Sequence, residues 1–204
     1  MPKIGPFGPG DQVGDGTNYT VFASDGILSM AGTARVLNGE WIDAGGIKSP
    51  GAKPATAIAQ GLLETPAWQF GNEAVEANQE SVSFNIRLPN RMDRSVAPTI
   101  LIGWSASGVS PGYCKWQLDY AYRALNEDTT VSDASDTVRT AASATADGVV
   151  LSTFSSIAVA NVSDICIHCR LKRLSASASD TIADTVELHG VCVSWVSDKL
   201  GTAT

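Results

Sequence analysis

Residues Tyr113 to Leu125 read Tyr-Cys-Lys-Trp-Gln-Leu-Asp-Tyr-Ala-Tyr-Arg-Ala-Leu, and they alternate with period two. Cys114, Trp116, Leu118, Tyr120 and Tyr122 share one parity; Lys115, Gln117, Asp119 and Arg123 share the other. Successive side chains of a strand point to opposite faces, so this pattern predicts a long β-strand with one buried and one wet face. A strand of this length and aromatic content needs a second apolar layer to cover it, which predicts a sandwich.

The rest of the chain agrees. Ser81 to Leu88 alternates Val82, Phe84, Ile86 and Leu88 against Ser81, Ser83, Asn85 and Arg87. Thr99 to Trp104 is more continuously apolar, as in a strand covered on both faces. Ser163 to Arg173 sets Ile165, Ile167, Cys169 and Leu171 against His168, Arg170 and Lys172. Weaker strands are expected over 138–146 and 149–154, parted by Asp147-Gly148, with 157–159 continuing the second. The stretch 126–136 is polar and acidic and is expected to be a loop. In Val186 to Val196 both parities are apolar, so that strand is either central or pressed against a partner. Asp25-Gly26 and Asn38-Gly39 are hairpin-turn dipeptides and predict two early hairpins. Residues 55–63 fit a short helix, because Ile58 and Leu62 are four apart. Together these features predict an all-β fold: an antiparallel two-sheet sandwich, jelly-roll-like, occupying residues 21–201 as one domain. Residues 1–20 form an extended Gly/Pro-rich arm, too poor in apolar side chains for a core of its own. Residues 202–204 are a short tail.

A search for chemistry returns little. Gly108-Val-Ser110-Pro-Gly112 has the letters of a nucleophile elbow, but a strand follows where that motif needs a helix, and Pro111 biases Ser110 toward extended backbone. Only His168 and His189 are available as bases, and neither spacing brings one to Ser110. Cys166-Ile-His-Cys169 invites a metal reading; on a strand, however, Cys166 and His168 face one way and Cys169 the other. With Cys114 and Cys192, these read as four reduced, buried thiols. Loop carboxylates such as Asp133 and Asp136 lack calcium-loop spacing. Lys172-Arg173 followed by Asp180-Thr181 and Asp184 predicts a salt-bridged, structural corner. No catalytic residue, cofactor or metal is therefore assigned, and the chain is read as not an enzyme.

The net charge of −7 and the pI near 4.7 argue against nucleic acid and against anionic membranes as partners. No apolar run approaches a bilayer span, and the first residues carry no secretory pattern. Charged residues make up 17% of the chain, a low share that suits a surface given to contacts with other protein. Candidate contact residues are Ile4, Phe7 and Val13 on the arm and Val191, Val193 and Trp195 on the last strand. Of the five tryptophans, Trp104 and Trp116 read as core, while Trp41 and Trp68 lie near loops and are candidates for stacking on a glycan ring.

Several segments resemble a group of small tailed-bacteriophage virion proteins. They are Asp25-Gly26-Ile-Leu-Ser-Met-Ala-Gly32-Thr-Ala-Arg35, Ser81-Val-Ser-Phe-Asn-Ile-Arg-Leu-Pro89 with Thr99-Ile-Leu-Ile-Gly-Trp104, and Lys115-Trp-Gln-Leu-Asp-Tyr120. Arg170-Leu-Lys-Arg173 with Asp180-Thr181, and Val191-Cys-Val-Ser-Trp195 through Asp198-Lys-Leu-Gly201, complete the set. The resemblance covers most of residues 20–201. It implies a non-enzymatic jelly roll, a homotrimer that decorates or cements a capsid by binding the major capsid protein on the outer surface of a virion assembled in a bacterial cytoplasm. Related jelly rolls serve in tail appendages or fibres, where a host-surface glycan would be the ligand.

Overall fold

The computed structural model describes residues 12–14, 17, 19–22, 28–31, 36–50, 53–60, 65–90, 92–108, 112–124, 134–158, 160, 164–197 and 199–200. The strands are β1 (Gln12–Gly14), β2 (Tyr19–Phe22), β3 (Leu28–Ala31), β4 (Val36–Asp43), β5 (Thr56–Gln60), β6 (Thr65–Phe70) and β7 (Ser81–Arg87). They continue as β8 (Thr99–Ala106), β9 (Tyr113–Arg123), β10 (Ala134–Ala141), β11 (Val150–Phe154), β12 (Cys166–Arg173), β13 (Val186–Ser197) and β14 (Lys199–Leu200). Among the described residues there is no α-helix, only two short 3-10 turns at Ala44–Gly46 and Glu76–Asn78. Every strand ladder is antiparallel.

Two sheets form the sandwich. One has the order β10-β9-β12-β7; the other runs β11-β8-β13-β6-β5, with β4 pairing the second half of β13. A small separate sheet, β1-β2-β3-β14, pairs β2 with β3, the strands on either side of Asp25-Gly26, which lies outside the described residues. Its edge strand β1 comes from the Gly/Pro-rich arm, consistent with a segment unsuited to a central position. Val13 is exposed there, whereas Ile4 and Phe7 lie outside the described residues, as does the tail 202–204.

The two sheets meet on aromatic side chains. Trp116 of β9 stands edge-on to Phe70 of β6, with ring centroids 5.1 Å apart, and to Trp104 of β8 at 6.1 Å. All three are fully buried, and each contributes about 1.5–3 kcal/mol by leaving water. The Trp104 indole N–H donates to Ser152 Oγ at 2.8 Å, and that hydroxyl donates to Thr140 Oγ1 of the opposite sheet at 2.7 Å. A polar thread thus ties β11 to β10 beside the apolar core.

β13 is the central strand, with β8 on one side and β6 and β4 in succession on the other. Its register slips between Leu188 and Gly190, a β-bulge at His189. The extra residue reverses the parity. Val186 and Leu188 before it, and Val191, Val193 and Trp195 after it, therefore all face the core. This explains the doubly apolar sequence of the strand. It also corrects the expectation that Val191, Val193 and Trp195 offer a contact surface, because all three are buried within the subunit.

Other expectations need amendment. Residues 56–60 are strand, not helix: Thr56 to Gln60 pairs with Gln69 to Thr65, a setting that favours the β-branched Thr56 and Ile58. Leu62 lies outside the described residues. Asn38-Gly39 makes no turn, because β4 runs straight through it against Ser194 and Trp195, and the Asn38 amide donates to Ser197 Oγ at 2.9 Å. β11 stops at Phe154, so Ile157 and Ala158 do not continue it, Val159 lies outside the described residues, and β10 already begins at Ala134 inside the expected loop. The outward face of β9 is not uniformly wet. Asp119 is buried under Gln117, Arg170 and Lys172, with Arg170 at 2.7 Å and Lys172 at 3.1 Å. Burial works to raise the Asp119 pKa, but the hydrogen bonds from those three residues outweigh it and hold the carboxyl below its usual range.

The predicted corner is present between Arg173 and Asp180, whereas Lys172 pairs with Asp119 instead and Asp184 contributes its backbone carbonyl. Arg173 and Asp180 are each 1% exposed. Arg173 Nε and Nη2 donate to the two Asp180 oxygens at 3.0 and 2.9 Å, Nη1 donates to the carbonyls of Gly71 and Asp184, and Nη2 also donates to that of Ile182. All five N–H groups of the guanidinium are used. Asp180 in turn accepts the backbone N–H of Lys115 at 3.1 Å, tying the 175–184 loop to β9. Removing one partner strands a buried charge. Asp180→Ala should cost about 3–5 kcal/mol, read as a lower urea midpoint at unchanged m-value.

Candidate functional site

The outward face of the β11-β8-β13-β4 sheet is unusual for its mixture of glycines and exposed apolar side chains. The register places Asp43, Gly190, Gly103 and Leu151 in one row and Trp41, Cys192, Leu101 and Thr153 in the next. Trp41 is 51% exposed, and its indole leans from its own row across the neighbouring one. A Cβ added to Gly190 would meet Trp41 Cζ2 at 2.6 Å, and one added to Gly103 would meet Cη2 at 3.1 Å. The ring therefore lies over two bare backbones, with one side supported by the sheet and the other open.

Beside it is a cleft of about 640 Å³ lined by Trp41, Asp43, Thr65, Pro66, Asp147, Val149 and His189. Each wall has a local cause. Asp43 caps the 3-10 turn that ends β4, accepting the Gly46 N–H at 3.0 Å. Asp147 sits in the left-handed region (φ 57°) of the turn between β10 and β11, and its N–H donates to the Ala106 carbonyl at 3.1 Å. His189 is the bulged residue of β13, and Nε2 lies 2.9 Å from Ser105 Oγ.

The electrostatics favour a neutral imidazole. Burial lowers the His189 pKa, and the nearby Asp147 only partly opposes it. Glu187, below the cleft, is pushed up by burial and by Asp147, against hydrogen bonds from Gln69 and Ser105. Ser105, His189 and the acids look like parts of a triad, but Ser105 is fully buried. A hydroxyl sealed inside the sheet meets no substrate carbonyl, so the group acts as a satisfied polar support. The cleft can instead offer a flat aromatic surface, two carboxylates, a hydroxyl and an imidazole to a polyhydroxylated ligand.

Only one of the two tryptophans proposed for stacking is available. Trp68 pairs with Leu188 on the core face of the sheet, packs against the core, and donates its indole N–H to the Ala44 carbonyl at 2.9 Å. Ser110 lies outside the described residues, as does Asp133. Cys114, Cys166, Cys169 and Cys192 are free thiols, and Cys169 faces the core away from His168. Among the described residues no group of side chains has the makings of a metal site. No helix there is long and apolar enough to cross a membrane.

No family model matches the chain, and no curated protein matches it. Among solved structures it is similar to the CBM22-1–GH10 modules of a Clostridium thermocellum N-terminal endo-1,4-β-D-xylanase complexed with xylohexaose. The identity is 12% and the TM-score 0.44, over 83% of this chain and 30% of that one. It is also similar to a xylan-binding module, CBM15, at 14% identity and TM-score 0.42, over 79% of this chain and 97% of that one. The enzymatically active domain of bacteriophage CBA120 tailspike protein 4 matches at 8% identity and TM-score 0.36, over 78% of this chain and 19% of that one. The chain thus spans less than a third of the length of the first and the third.

Gly190→Ala should force the indole off the sheet. The expected result is a loss of about 1–3 kcal/mol in urea unfolding, with a red-shifted and more readily quenched tryptophan emission. Gly39→Ala, whose added methyl would meet only contacts at 3.7 Å, should leave the emission unchanged. Because the folded-state pKa of His189 is depressed, the unfolded chain takes up that proton first. Stability should therefore fall as pH drops below about 6.5, and His189→Gln should flatten that part of the pH–stability curve.

Proposed function

We propose that this chain is a non-catalytic binding module that recognises a glycan by stacking a sugar ring on Trp41 in the cleft of its larger sheet. The observation that carries the proposal is the half-exposed indole held over Gly190 and Gly103 beside Asp43, Asp147 and His189. An aromatic ring supported from beneath loses little conformational freedom on binding, and carboxylates at its rim accept hydrogen bonds from hydroxyl groups. Their negative charge favours a neutral sugar at this cleft over a uronate. In the setting that the phage resemblance implies, the module would belong to a tail appendage or fibre and the glycan to a host surface.

A second reading, the capsid decoration subunit, draws support from the same face. Val149 is 61% exposed and Leu151 55% at one end of this face, and Leu37 is 72% exposed toward the other, so exposed apolar side chains spread along the face suit a subunit contact. In that reading the face is covered in a homotrimer or on the major capsid protein, and the cleft binds no sugar.

A glycan array followed by calorimetry separates the two. The glycan reading expects a neutral oligosaccharide bound by the isolated protein, with Trp41→Ala weakening it at least tenfold and Trp68→Ala reducing stability rather than affinity. Absence of binding across the array, together with a trimer in light scattering that Leu37→Asp dissociates, would replace it with the decoration reading.

A further inference from the structure

The outward face of the other sheet has the opposite character. The register of β10-β9-β12-β7 puts Arg139 beside Lys115, Gln117 beside Lys172, and Asp119 beside Arg170 and then Ser83. Lys48 is bridged to Ser83 and extends that row beyond β7, while Arg87 lies further along β7 on the same face. The chain has 14 Lys and Arg and a net charge of −7, yet these six cations share one face. Among the described strand residues of that face, Asp119 is the one carboxylate, and it is already shared by Arg170 and Lys172.

The arrangement is a line rather than a cluster. Arg139 of β10, Lys115 of β9, Lys172 and Arg170 of β12, and Lys48 beyond Ser83 of β7 step diagonally across the sheet. They cover four inter-strand spacings, roughly 20 Å at about 4.8 Å each. Hydroxyl and amide groups are interleaved with them: Thr137, Gln117, Ser83 and Asn85 point outward between the charges. Arg139 is held in place by stacking 3.6 Å over the Tyr113 ring and by donating to the Ser179 carbonyl at 2.9 Å.

We propose that this band is a second binding face, which takes a linear carboxylated polysaccharide laid diagonally across the sheet. Arginine forks pair with carboxylates in two-point contacts, and the interleaved hydroxyl and amide groups match a polymer rich in hydroxyls. A small anion would need only one of these positions, whereas a row of them fits a repeating charge. Nucleic acid fits worse, because the exposed Tyr113 ring on this face is covered by Arg139 and the remainder of the molecule is acidic. The face is separate from the Trp41 cleft, and the proposal does not depend on what that cleft binds.

The test is affinity electrophoresis and calorimetry on oligogalacturonate, with a neutral xylan and a single-stranded oligonucleotide of matched charge as comparisons. Wild-type protein should bind the oligogalacturonate, and raising salt from 50 to 300 mM should weaken binding at least tenfold. Lys48→Glu with Arg139→Glu, changes at two exposed positions near the ends of the band, should abolish binding while the protein stays folded, its unfolding free energy lowered by no more than about 2 kcal/mol for the lost Tyr113 stacking and Ser179 hydrogen bond. Arg170→Gln should weaken binding severalfold. Trp41→Ala should leave it intact, which keeps this outcome distinct from that of the cleft. No binding, equal binding of the oligonucleotide, or binding that survives the double substitution would overturn the proposal.

Discussion

The bulge at His189 is the constraint on which the larger sheet depends. Without an extra residue there, Val186 and Leu188 would face one way and Val191, Val193 and Trp195 the other, and a central strand would present half of its apolar side chains to water. One inserted residue puts both sets in the core. It also lets β6 pair with the first part of the strand and β4 with the second. At the junction it turns the imidazole outward into the cleft and leaves Gly190 as the bare backbone beneath Trp41. Core, topology and candidate site thus share one local irregularity.

Because strand parity sorts side chains so strictly, the two outer faces of the sandwich diverge. One is glycine-floored and apolar, with carboxylates at its rim; the other is a sheet of hydroxyls and amides crossed by cations. The layer between them is aromatic where Trp116 meets Phe70 and Trp104, and polar threads cross it from Trp104 through Ser152 to Thr140 and from Tyr120 and Tyr122 to the backbone of Ala158. At the end of the sandwich, Arg173 is buried with every N–H satisfied. A charge so placed adds little net stability over a well-packed apolar pair, but it tolerates only one position of the 175–184 loop.

Much of this was legible from period-two patterns. The parity of Tyr113 to Arg123 shows the core side of β9, and of the corner read from Lys172-Arg173, Asp180-Thr181 and Asp184 the Arg173–Asp180 pair is present, while Lys172 turns to Asp119 on the outer face. What failed did so for identifiable reasons. Residues 56–60 alternate Thr and Ile with Ala, a weak signal that pairing with β6 decides. Asn38-Gly39 carries turn chemistry, but pairing along the length of β13 overrides it. Periodicity cannot see a bulge, so it puts Val191, Val193 and Trp195 on the face opposite Val186 and Leu188, whereas all five face the core. For the candidate site, Trp41 was legible as a tryptophan near a loop, and Trp68 was indistinguishable from it until the register put it opposite Leu188. The contribution of Gly103 and Gly190 left no trace in composition, because a glycine that makes room for a ring reads like any other. The basic band was hidden by the net charge, which averages over faces.

The thiols have a consequence of another kind. Cys114 and Cys169 lie on the core face of different strands of one sheet, and burial raises the pKa of both. A thiolate is the reactive form, so a closed sandwich offers electrophiles and oxidants almost nothing at these two sulfurs. They become nucleophiles only when the two layers part. The rate at which a reagent consumes them is then a clock for how often the molecule opens.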